Sequence, residues 1–427
     1  MCNNLNLIPL IKNPDSRNSC FNITWKNLNE FISCIWRIPY YIEPESKKVM
    51  PIYLQELSDL NPDNSFPKNI FPGSNPFFRH LKFLQYYICQ KEHKTVGRIA
   101  CFIDSNYKER NITGDIGWIS LFETIEDDEA AQSLLKKAIN DLKEQGVKKI
   151  IGPARFNANG EVGILISGFE QSSMFMEPYN PPYYQKYFES IGMKENDWFS
   201  FGMTLESVYP YKNKILAFKS NGLNLEEKII NEGISVRIIN IKEDLPKIKS
   251  IYNSAWDTNE HPQFEKLTDA EYNNLISVLR QVAVEEFIFV AEDISIPEKP
   301  IIGVSVTLPD INEGIRKFDD NKPNLKNNFS NISFFRKFLR DLSILKNIKS
   351  MIKKKEIKTL RIFILGTIKK KKGLDALFYL KTIESAHKNG IIYASGSQIA
   401  DINLEMVNPL RRLGTVVFTW RVYNFNF

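Results

Sequence analysis

The chain has 427 residues, of which 43% are hydrophobic and 12% aromatic, and its formal net charge is +6. This composition excludes a disordered chain, and the length favours two or three domains with sizeable cores. The sequence has no run of the ~18 apolar residues that a membrane-spanning helix needs, no secretory signal pattern and no metal-ligand spacing among its five cysteines. We therefore expect a cytoplasmic protein with reduced thiols and no bound metal.

The first half of the chain predicts one α/β domain. Residues 1–70 show little regular spacing of apolar residues, and we interpret them as an N-terminal extension that packs on a first domain, 71–210. Apolar runs predict strands, and apolar residues at helical spacing between cap residues predict helices. The order is strand, strand, strand, helix, strand, helix, strand, from the segments 83–104 (two strands), 115–123, 127–146, 147–153, 181–193 and 198–206.

The second half, 211–427, repeats this order after roughly 200 residues, which indicates a tandem repeat of domains and not a solenoid. A helical stretch around Ile251 follows the first strand of the second copy. The predicted strands and helices are the segments 235–240, 285–293, 299–310, 357–368, 374–390, 391–399, 403–414 and 415–425.

An insertion, 312–358, interrupts the second copy. Its apolar residues at 335, 338, 342, 345, 348 and 352 form one helical face, and the other faces carry Arg336, Lys337, Arg340, Lys346 and Lys349. From Arg336 to Lys372 the chain has 14 basic and 2 acidic residues, a local charge of +12. Two interpretations stay open: a cover helix with a solvated basic face, or a surface that meets phosphate groups or an anionic membrane.

The turn between the strand 357–368 and the helix 374–390 reads "GTIKKKKG". Free N–H groups and the dipole at a helix start favour an anion, and glycine lets the backbone approach it closely. The matching turn of the first copy has no glycine and is acidic, with Glu123, Glu126, Asp127, Asp128 and Glu129. These charges repel a phosphate, so an anion site is predicted in the second copy only.

This order of elements resembles the GNAT acyltransferase fold, an α/β fold with a mixed sheet. Segments such as "GPARFNANGEVGILISGF", "MEPYNPPYYQKYFESIGM" and "IYNSAWDTNEHPQF" resemble a bacterial group of tandem-GNAT proteins, from about Trp36 to the C-terminus. Some relatives in that group resemble bacterial enzymes that N-acylate long-chain amino bases to form ceramides. The resemblance implies two GNAT-like domains in tandem, each a twisted mixed sheet flanked by helices.

The resemblance also implies a donor site. In this fold a splayed strand holds the pantetheine arm of coenzyme A, and the turn after it holds the pyrophosphate. The family turn is commonly Q/R-x-x-G-x-G/A, and here only spaced glycines remain, with lysines between them. The donor-binding residues implied are Leu365, Gly366, Thr367, Lys369, Lys370, Lys371, Lys372, Gly373 and Leu374. The expected donor is an acyl-CoA or acyl-carrier-protein thioester, with no permanently bound cofactor.

Three residues are candidates for catalysis. His261 would be a base or an acceptor contact, and Asn403 falls where the family segment often carries asparagine. Asp310 is either a base, with a pKa raised by burial, or a turn-forming residue. The tyrosine that often protonates the leaving thiolate is missing, because Val407 and Asn408 occupy its region.

Aromatic residues are the candidates for substrate binding. Trp256 lies in "AWDTNEHPQF", on the expected acceptor side. The segment "YNPPYYQKY" places Tyr179, Asn180, Tyr183 and Tyr184 around two prolines. It is either a packed helix start or an aromatic wall of a substrate pocket between the domains.

The leading interpretation is transfer of an acyl group from a thioester to an amine, such as a long-chain amino base or an amino-acid-like substrate. An acidic carrier protein would complement the basic helix, and that helix could also contact the inner membrane peripherally. One alternative is a Fem-like transferase that uses aminoacyl-tRNA, although nucleic acid is not the expected partner. Another is a non-catalytic tandem module that binds a lipid or a partner protein.

Overall fold

The computed structural model describes residues 5–12, 21–62, 75–109, 112–156, 159–323, 326, 328–368 and 372–425. The chain divides into two compact units. The first unit is Met1–Trp198, Ile315–Asn347 and Trp420–Phe427, and the second is Phe199–Gly314 and Ile348–Thr419. The first unit thus includes part of the insertion and the end of the last strand, which the predicted ranges 71–210 and 211–427 assigned to the second domain.

The strands are β1 Leu5–Pro9, β2 Leu81–Lys91, β3 Lys94–Asp104, β4 Ile116–Thr124, β5 Lys149–Gly152, β6 Ile164–Ser167, β7 Met193–Thr204, β8 Ile234–Ile238, β9 Ile288–Asp293, β10 Ile301–Pro309, β11 Thr359–Thr367, β12 Tyr393–Ala400 and β13 Thr415–Asn424. The α-helices in the described part of the chain include α1 Trp25–Ser33, α2 Pro39–Ile42, α3 Tyr53–Asp59, α4 Asp128–Glu144, α5 Tyr184–Glu189, α6 Leu205–Leu216, α7 Leu225–Asn231, α8 Ile241–Asp244, α9 Ile248–Ala255, α10 Asp269–Val282, α11 Asn312–Asp320, α12 Phe334–Lys353, α13 Leu374–Lys388 and α14 Leu404–Leu413.

The first unit contains a mixed sheet in the order β1-β2-β3-β4-β5-β13, and β6 pairs with β13. Strands β4 and β5 are parallel, whereas β2, β3 and β4 form an antiparallel meander. Helix α4 covers this sheet with Leu134, Leu135, Ala138 and Leu142, all fully buried in one apolar cluster. Asp127 caps the start of α4 by accepting a hydrogen bond from the Ala130 N–H.

The second unit contains a mixed sheet in the order β7-β12-β11-β10-β9-β8. Strands β11 and β12 are parallel, and β8 to β11 are antiparallel neighbours. Alternate residues of β9 enter different apolar clusters: Ile288 and Val290 pack with α9 and α10, whereas Phe289 and Ala291 pack with α7 and α13. Because neighbouring strand residues point to opposite faces, helices cover both faces of this sheet.

The closing strands of the two repeats are exchanged. The last strand of the second repeat, β13, pairs with β5 of the first repeat through Tyr423↔Gly152 and Asn424↔Ile151. The last strand of the first repeat, β7, lies beside β12 of the second. The elements themselves occur in the predicted order, but their order along the chain does not reveal this exchange.

Helix α12 forms in the insertion, but the prediction of a wholly solvated basic face is wrong for two residues. Lys337 and Arg340 are buried, whereas Phe335 is 65% exposed. The Lys337 ammonium donates to Ser33 Oγ (2.9 Å), and Arg340 makes a bidentate ion pair with Asp319 (2.9 and 3.0 Å). These paired charges set the rotation of the helix, because a buried cation needs hydrogen-bonding partners.

The exposed face of α12 consists of Phe335, Leu339, Leu342, Lys346, Lys349 and Lys353, spaced by three or four residues. Its first half is apolar and its second half is cationic. In the part of the chain that the structure describes, no helix has both the length and the apolar character needed to cross a membrane.

Candidate functional site

Strands β11 and β12 form a fork in the second unit. They pair in parallel from Thr359↔Tyr393 to Ile362↔Gly396, and over the described residues the shared register stops there. Strand β11 runs on to Thr367, held on its other side by β10 as far as Gly303↔Thr367. Because strand backbones carry N–H and C=O groups on both edges, the last residues of β11 present such groups to the open side of the fork.

The turn after β11 leads into α13. Lys369, Lys370 and Lys371 lie outside the described residues, while Lys372 is exposed. Gly373 precedes α13 with φ of +97°, a conformation that residues with a side chain rarely adopt, and it provides no side-chain cap. The first N–H groups of α13 are therefore not capped by a side chain of the N-cap residue, as an anion site requires.

Lys228, on α7, adds a cation to this turn. Its ammonium donates to the Lys372 carbonyl at 3.4 Å and lies 3.3 Å from the Glu232 carboxylate. The sequence did not single out Lys228, because 144 residues separate it from Lys372. Only the fold brings the two residues together.

Trp256 packs against β11 at Gly366. A Cβ added at Gly366 would lie only 2.5 Å from the indole ring, so no larger residue fits while the tryptophan stays in place. Tyr252 stacks on Trp256, with ring centroids 5.1 Å apart. The predicted substrate-binding tryptophan and the predicted donor glycine are thus in contact.

His261 and Asn403 form a hydrogen-bonded pair. Asn403 Nδ2 lies 3.2 Å from His261 Nε2, and Thr258 Oγ1 lies 2.9 Å from His261 Nδ1. Since the amide nitrogen can only donate, Nε2 accepts and the imidazole proton resides on Nδ1. Burial lowers the pKa of His261 to about 4, so the ring is neutral near pH 7. Asn403 also caps α14 by accepting from the Met406 N–H at 3.2 Å.

These contacts connect the two arms of the fork. Gly366 of β11 touches Trp256, the rings of Trp256 and His261 are 5.9 Å apart, and His261 meets Asn403 just after β12. Four residues predicted separately from the sequence therefore form one continuous cluster. It contains a neutral imidazole, an amide donor and an aromatic surface beside open strand backbone.

Asp310 does not join this cluster. It follows β10, whose last residue pairs with Leu360 at the start of β11, so it lies six strand residues from Gly366, or ~20 Å. Asp310 Oδ1 accepts from the Asn312 N–H at 3.1 Å, and Asp310 Oδ2 lies 3.5 Å from Thr359 Oγ1. These are the contacts of a turn-forming residue at the start of α11, which was the alternative interpretation of Asp310.

The other predicted donor residues either pack in the apolar core or pair with the neighbouring strand. Leu374 is buried in the core with its helix, so only its backbone is available to a ligand. Leu365 packs against the same cluster, and Thr367 pairs with Gly303. Where the family tyrosine is missing, Val407 is buried and Asn408 is exposed.

The aromatic segment of the first unit is packed into that unit. Asn180 pairs with the Leu165 backbone through Oδ1 (2.6 Å) and Nδ2 (3.2 Å). The Tyr179 hydroxyl donates to the Phe169 carbonyl (2.6 Å), and the Tyr183 hydroxyl donates to the Thr124 carbonyl (3.0 Å). Tyr184 is buried beside Glu123. The structure thus gives these residues the contacts of a packed helix start.

No family model matches the chain. The chain is 28% identical to protein YghO of Escherichia coli K12 over 279 residues. This match covers 60% of the chain and 67% of YghO. The chain is 27% identical over 256 residues to the bacterial ceramide synthase of Caulobacter vibrioides, which covers 57% of this chain and 60% of that protein. The second match thus spans less than two thirds of the ceramide synthase.

Among solved structures, a tandem GNAT protein from the clavulanic acid biosynthesis pathway is similar over 98% of both chains. The TM-score is 0.50 at 8% sequence identity, a level at which the likeness concerns the fold. The mixed sheets, the flanking helices and the repeated element order agree with it. The predicted resemblance is confirmed at the level of the fold: the chain has the tandem GNAT fold.

Proposed function

We propose that the protein is an N-acyltransferase that moves an acyl group from a coenzyme A or carrier-protein thioester to an amine. The observation that supports this most is the fork of the second unit. It combines open backbone on β11, an α13 start without a side-chain cap, and a basic turn. These are the groups that would hold a pantetheine arm and a pyrophosphate.

In the proposed reaction a neutral amine attacks the thioester carbonyl, the C–S bond breaks, and the amine loses one proton while the thiolate gains one. Asn403 Nδ2 has two hydrogens and uses one toward His261, so the second can stabilise the carbonyl oxygen as it becomes negative. His261 then acts as a positioning residue for this amide, since both its nitrogens are already engaged.

The test is acyl transfer by the purified protein, followed as thiol release from acetyl-, octanoyl- and palmitoyl-CoA, and from the matching acyl-carrier proteins, with a panel of primary amines. Asn403→Ser keeps a good helix cap but removes the amide, and we expect kcat to fall at least tenfold. Asn408→Ser, an exposed site on the same helix, is the matched control and keeps full activity. Absence of transfer from every thioester would exclude the proposal, and normal kcat in Asn403→Ser would exclude this role for the amide.

The proposed acceptor is a long-chain amino base or an amino-acid-like amine. The support is the similarity to a protein named bacterial ceramide synthase, at 27% identity. Mass spectrometry of lipids and small amines, comparing cells that express the wild-type protein with cells that express Asn403→Ser, tests this proposal. An N-acylated amine that accumulates only with the wild type identifies the acceptor.

The proposed location is the cytoplasm, with peripheral contact to an anionic membrane through the exposed face of α12. Three apolar side chains followed by three lysines on one face suit the boundary between headgroups and acyl chains. Binding to vesicles with 30% phosphatidylglycerol should be lost in the triple variant Lys346, Lys349 and Lys353→Ser, and should weaken with salt. Equal binding to vesicles of phosphatidylcholine alone would contradict the contribution of charge.

A further inference from the structure

The loop between α9 and α10, residues 256–268, lies at the open fork of the second unit. Its first residue, Trp256, packs on β11, and His261 bonds to the asparagine that caps α14. Further along, the Phe264 ring contacts a tyrosine of α9, with ring centroids 5.6 Å apart. Gln263 lies between His261 and Phe264 in the chain, so both of its flanks are fixed at the cluster beside the fork.

Gln263 has a backbone conformation that few residues with a side chain adopt. Its φ is +61°, in the left-handed region, where the Cβ comes close to a carbonyl oxygen. Such residues persist only where the surrounding structure holds them, and they are frequent at ligand-binding sites. Here Asn253 closes the loop by pairing with the Leu267 N–H and the Leu267 carbonyl, each at 3.0 Å. The loop thus holds Gln263 in place at a cost in free energy, as is typical of a residue that a site requires.

The side chain of Gln263 is buried with an oxygen that lacks a partner. Gln263 is 6% exposed, and its Oε1 accepts no hydrogen bond from any residue that the structure describes. Gln85, a buried glutamine of the first unit, shows the usual arrangement: its Oε1 accepts from the N–H groups of Ile11 and Tyr86, each at 3.0 Å. Buried polar atoms are nearly always paired, and a carbonyl oxygen can only accept. The missing partner of Gln263 is therefore an N–H or O–H donor.

The proposed reaction supplies such a donor. The attacking amine must be neutral, and a neutral primary amine has two N–H bonds. As the C–N bond forms and the C–S bond breaks, one of these protons passes to the thiolate, and the other N–H remains in the amide product. In the cluster the Asn403 amide offers a donor and both ring nitrogens of His261 are engaged, so Gln263 Oε1 is the matching acceptor. Glu260 and Glu405 act electrostatically on His261, but both are exposed, and a carboxylate would favour the charged ammonium, which cannot attack.

We propose that Gln263 Oε1 accepts a hydrogen bond from the N–H that the acceptor keeps, and that it thereby selects primary amines over N-alkylated amines. The bond also orients the amine, because it fixes one N–H and leaves the lone pair for the thioester carbonyl. The proposal rests on the proposed function for the identity of the acceptor. The hydrogen bond itself forms equally with the amide product, so its detection does not require that transfer occurs.

Two neutral amides test the hydrogen bond by binding alone. N-octylacetamide has the form of a reaction product and keeps one N–H, whereas N-methyl-N-octylacetamide has none. Calorimetric titration into the full-length protein, in the presence of coenzyme A, gives both affinities. We expect the wild type to bind the amide with an N–H about tenfold more tightly, since the methylated amide leaves Oε1 unpaired.

Two variants locate this preference. Gln263→Met keeps the length of the side chain but removes the oxygen. It should remove most of the preference without lowering the melting temperature, because Oε1 has no partner to lose among the described residues. Gln85→Met is the matched control: it leaves the Ile11 and Tyr86 N–H groups unpaired, so it should lower the melting temperature and leave the preference unchanged. The steric effect of the added methyl group is common to all three proteins and cancels between them.

The same preference should appear in catalysis. With acetyl-CoA as donor, kcat/KM for n-octylamine should exceed kcat/KM for N-methyloctylamine, and Gln263→Met should lower this ratio about tenfold. The two amines have similar basicity, so the ratio does not reflect the fraction of each that is neutral.

The outcomes separate this proposal from the proposed function. A preference for the N–H amide that Gln263→Met removes, in a protein that transfers no acyl group, would exclude only the transferase. Transfer with the same amine ratio in Gln263→Met and in the wild type would exclude the role of Gln263, and would indicate that a buried water pairs with Oε1. If Gln263→Met does not fold, the wild type decides: tighter binding of the N–H amide supports the proposal, and equal binding of the two amides, or binding of neither, contradicts it.

Discussion

The forks of the two units differ in what lies beside the longer strand. In the first unit β4 leaves β5 after Trp118↔Ile151, and the chain itself covers the released edge. The Ala154 N–H donates to the Ile119 carbonyl (3.2 Å), and the Thr124 N–H donates to the Tyr184 hydroxyl (2.6 Å). In the second unit β11 leaves β12 at the corresponding point, and Trp256, His261 and Asn403 surround the gap. One fork is thus occupied by the protein, and the other carries groups suited to a ligand.

The helix that follows each fork shows the same contrast. Asp127 caps α4 with its own carboxylate and forms an ion pair with Lys91 at 2.6 Å. Helix α13 begins after Gly373, which provides no side-chain cap, and follows four lysines. The two copies of the fold therefore share the order of strand, turn and helix, but the charges at the two helix starts differ: an acidic start opposes an anion and a basic start favours one.

The largest expected effect comes from opening the occupied fork. The Tyr184 hydroxyl accepts from the Thr124 N–H and lies 2.9 Å from the Glu123 carboxylate, with all three groups buried. Tyr184→Phe leaves the amide without its partner and removes one donor from the carboxylate. We expect the free energy of unfolding, measured by urea denaturation, to fall by about 3 kcal/mol.

Tyr379→Phe in the second unit is the matched control, because that hydroxyl has no partner to lose among the described residues. It should change the urea midpoint by less than about 0.5 kcal/mol. Equal destabilisation by the two substitutions would show that the hydrogen bonds of Tyr184 do not stabilise the occupied fork.

The second effect depends on pH and concerns the open fork. His261 has a pKa of about 4 in the folded protein, against about 6.5 when unfolded. Between these values the unfolded chain binds more protons, so stability is fully present above pH 6.5 and falls as the pH drops toward 4. His261→Gln removes this titration, and the difference between the two proteins should reach about 2 kcal/mol at pH 4.5.

Urea denaturation at pH 7.5 and pH 4.5 measures this difference, and the acid sensitivity of all other groups cancels between variant and wild type. His93→Gln, in an exposed turn, is the control for the substitution itself. A parallel fall in His261→Gln and wild type would show that His261 titrates normally in the fold.

Much of this contrast could be predicted from the sequence, because local patterns carry it. The strands, the helices and the lysine turn follow from apolar periodicity, glycine positions and charge, and the GNAT resemblance indicated where Gly366, His261 and Asn403 would act. Asp310 could not be placed, since either role suits an aspartate at a strand end, and only the antiparallel register shows that it lies far from Gly366.

Other features depend on contacts between distant residues and have no local signal. Lys337 and Arg340 look solvated in the sequence, yet Ser33 and Asp319 pair with them in the fold. The exchange of β7 and β13 between the repeats leaves the order of the predicted strands and helices along the chain unchanged. The orphaned Tyr379 hydroxyl lies in an ordinary amphipathic helix, and its missing partner is visible only in three dimensions.

The third effect tests the contact between β11 and Trp256. Gly366→Ala places a methyl group 2.5 Å from the indole, which should destabilise the protein by about 1.5 kcal/mol and displace the tryptophan from the fork. Trp256→Leu should relieve the clash. Gly366→Ala should therefore destabilise the Trp256→Leu protein less than it destabilises the wild type. Additive effects in this cycle would show that Trp256 does not pack on Gly366 in solution.

The smallest expected effect comes from a substitution at Gly373. It gives the start of α13 the negative charge that the start of α4 carries, and so compares the two helix starts directly. Gly373→Asp introduces a carboxylate at the start of α13, and Gly373→Asn introduces an uncharged side chain of the same shape. Both substitutions strain this position, because φ is +97° and a Cβ would lie 2.8 Å from Leu225 Cδ1, but the strain is matched since the two side chains have the same shape. Coenzyme A affinity, measured by calorimetry, should be roughly tenfold weaker in the aspartate variant than in the asparagine variant, since only the charge differs. Equal affinities would mean that the pyrophosphate does not bind at this helix start, and the two forks would then differ for a reason other than the charge at their helices.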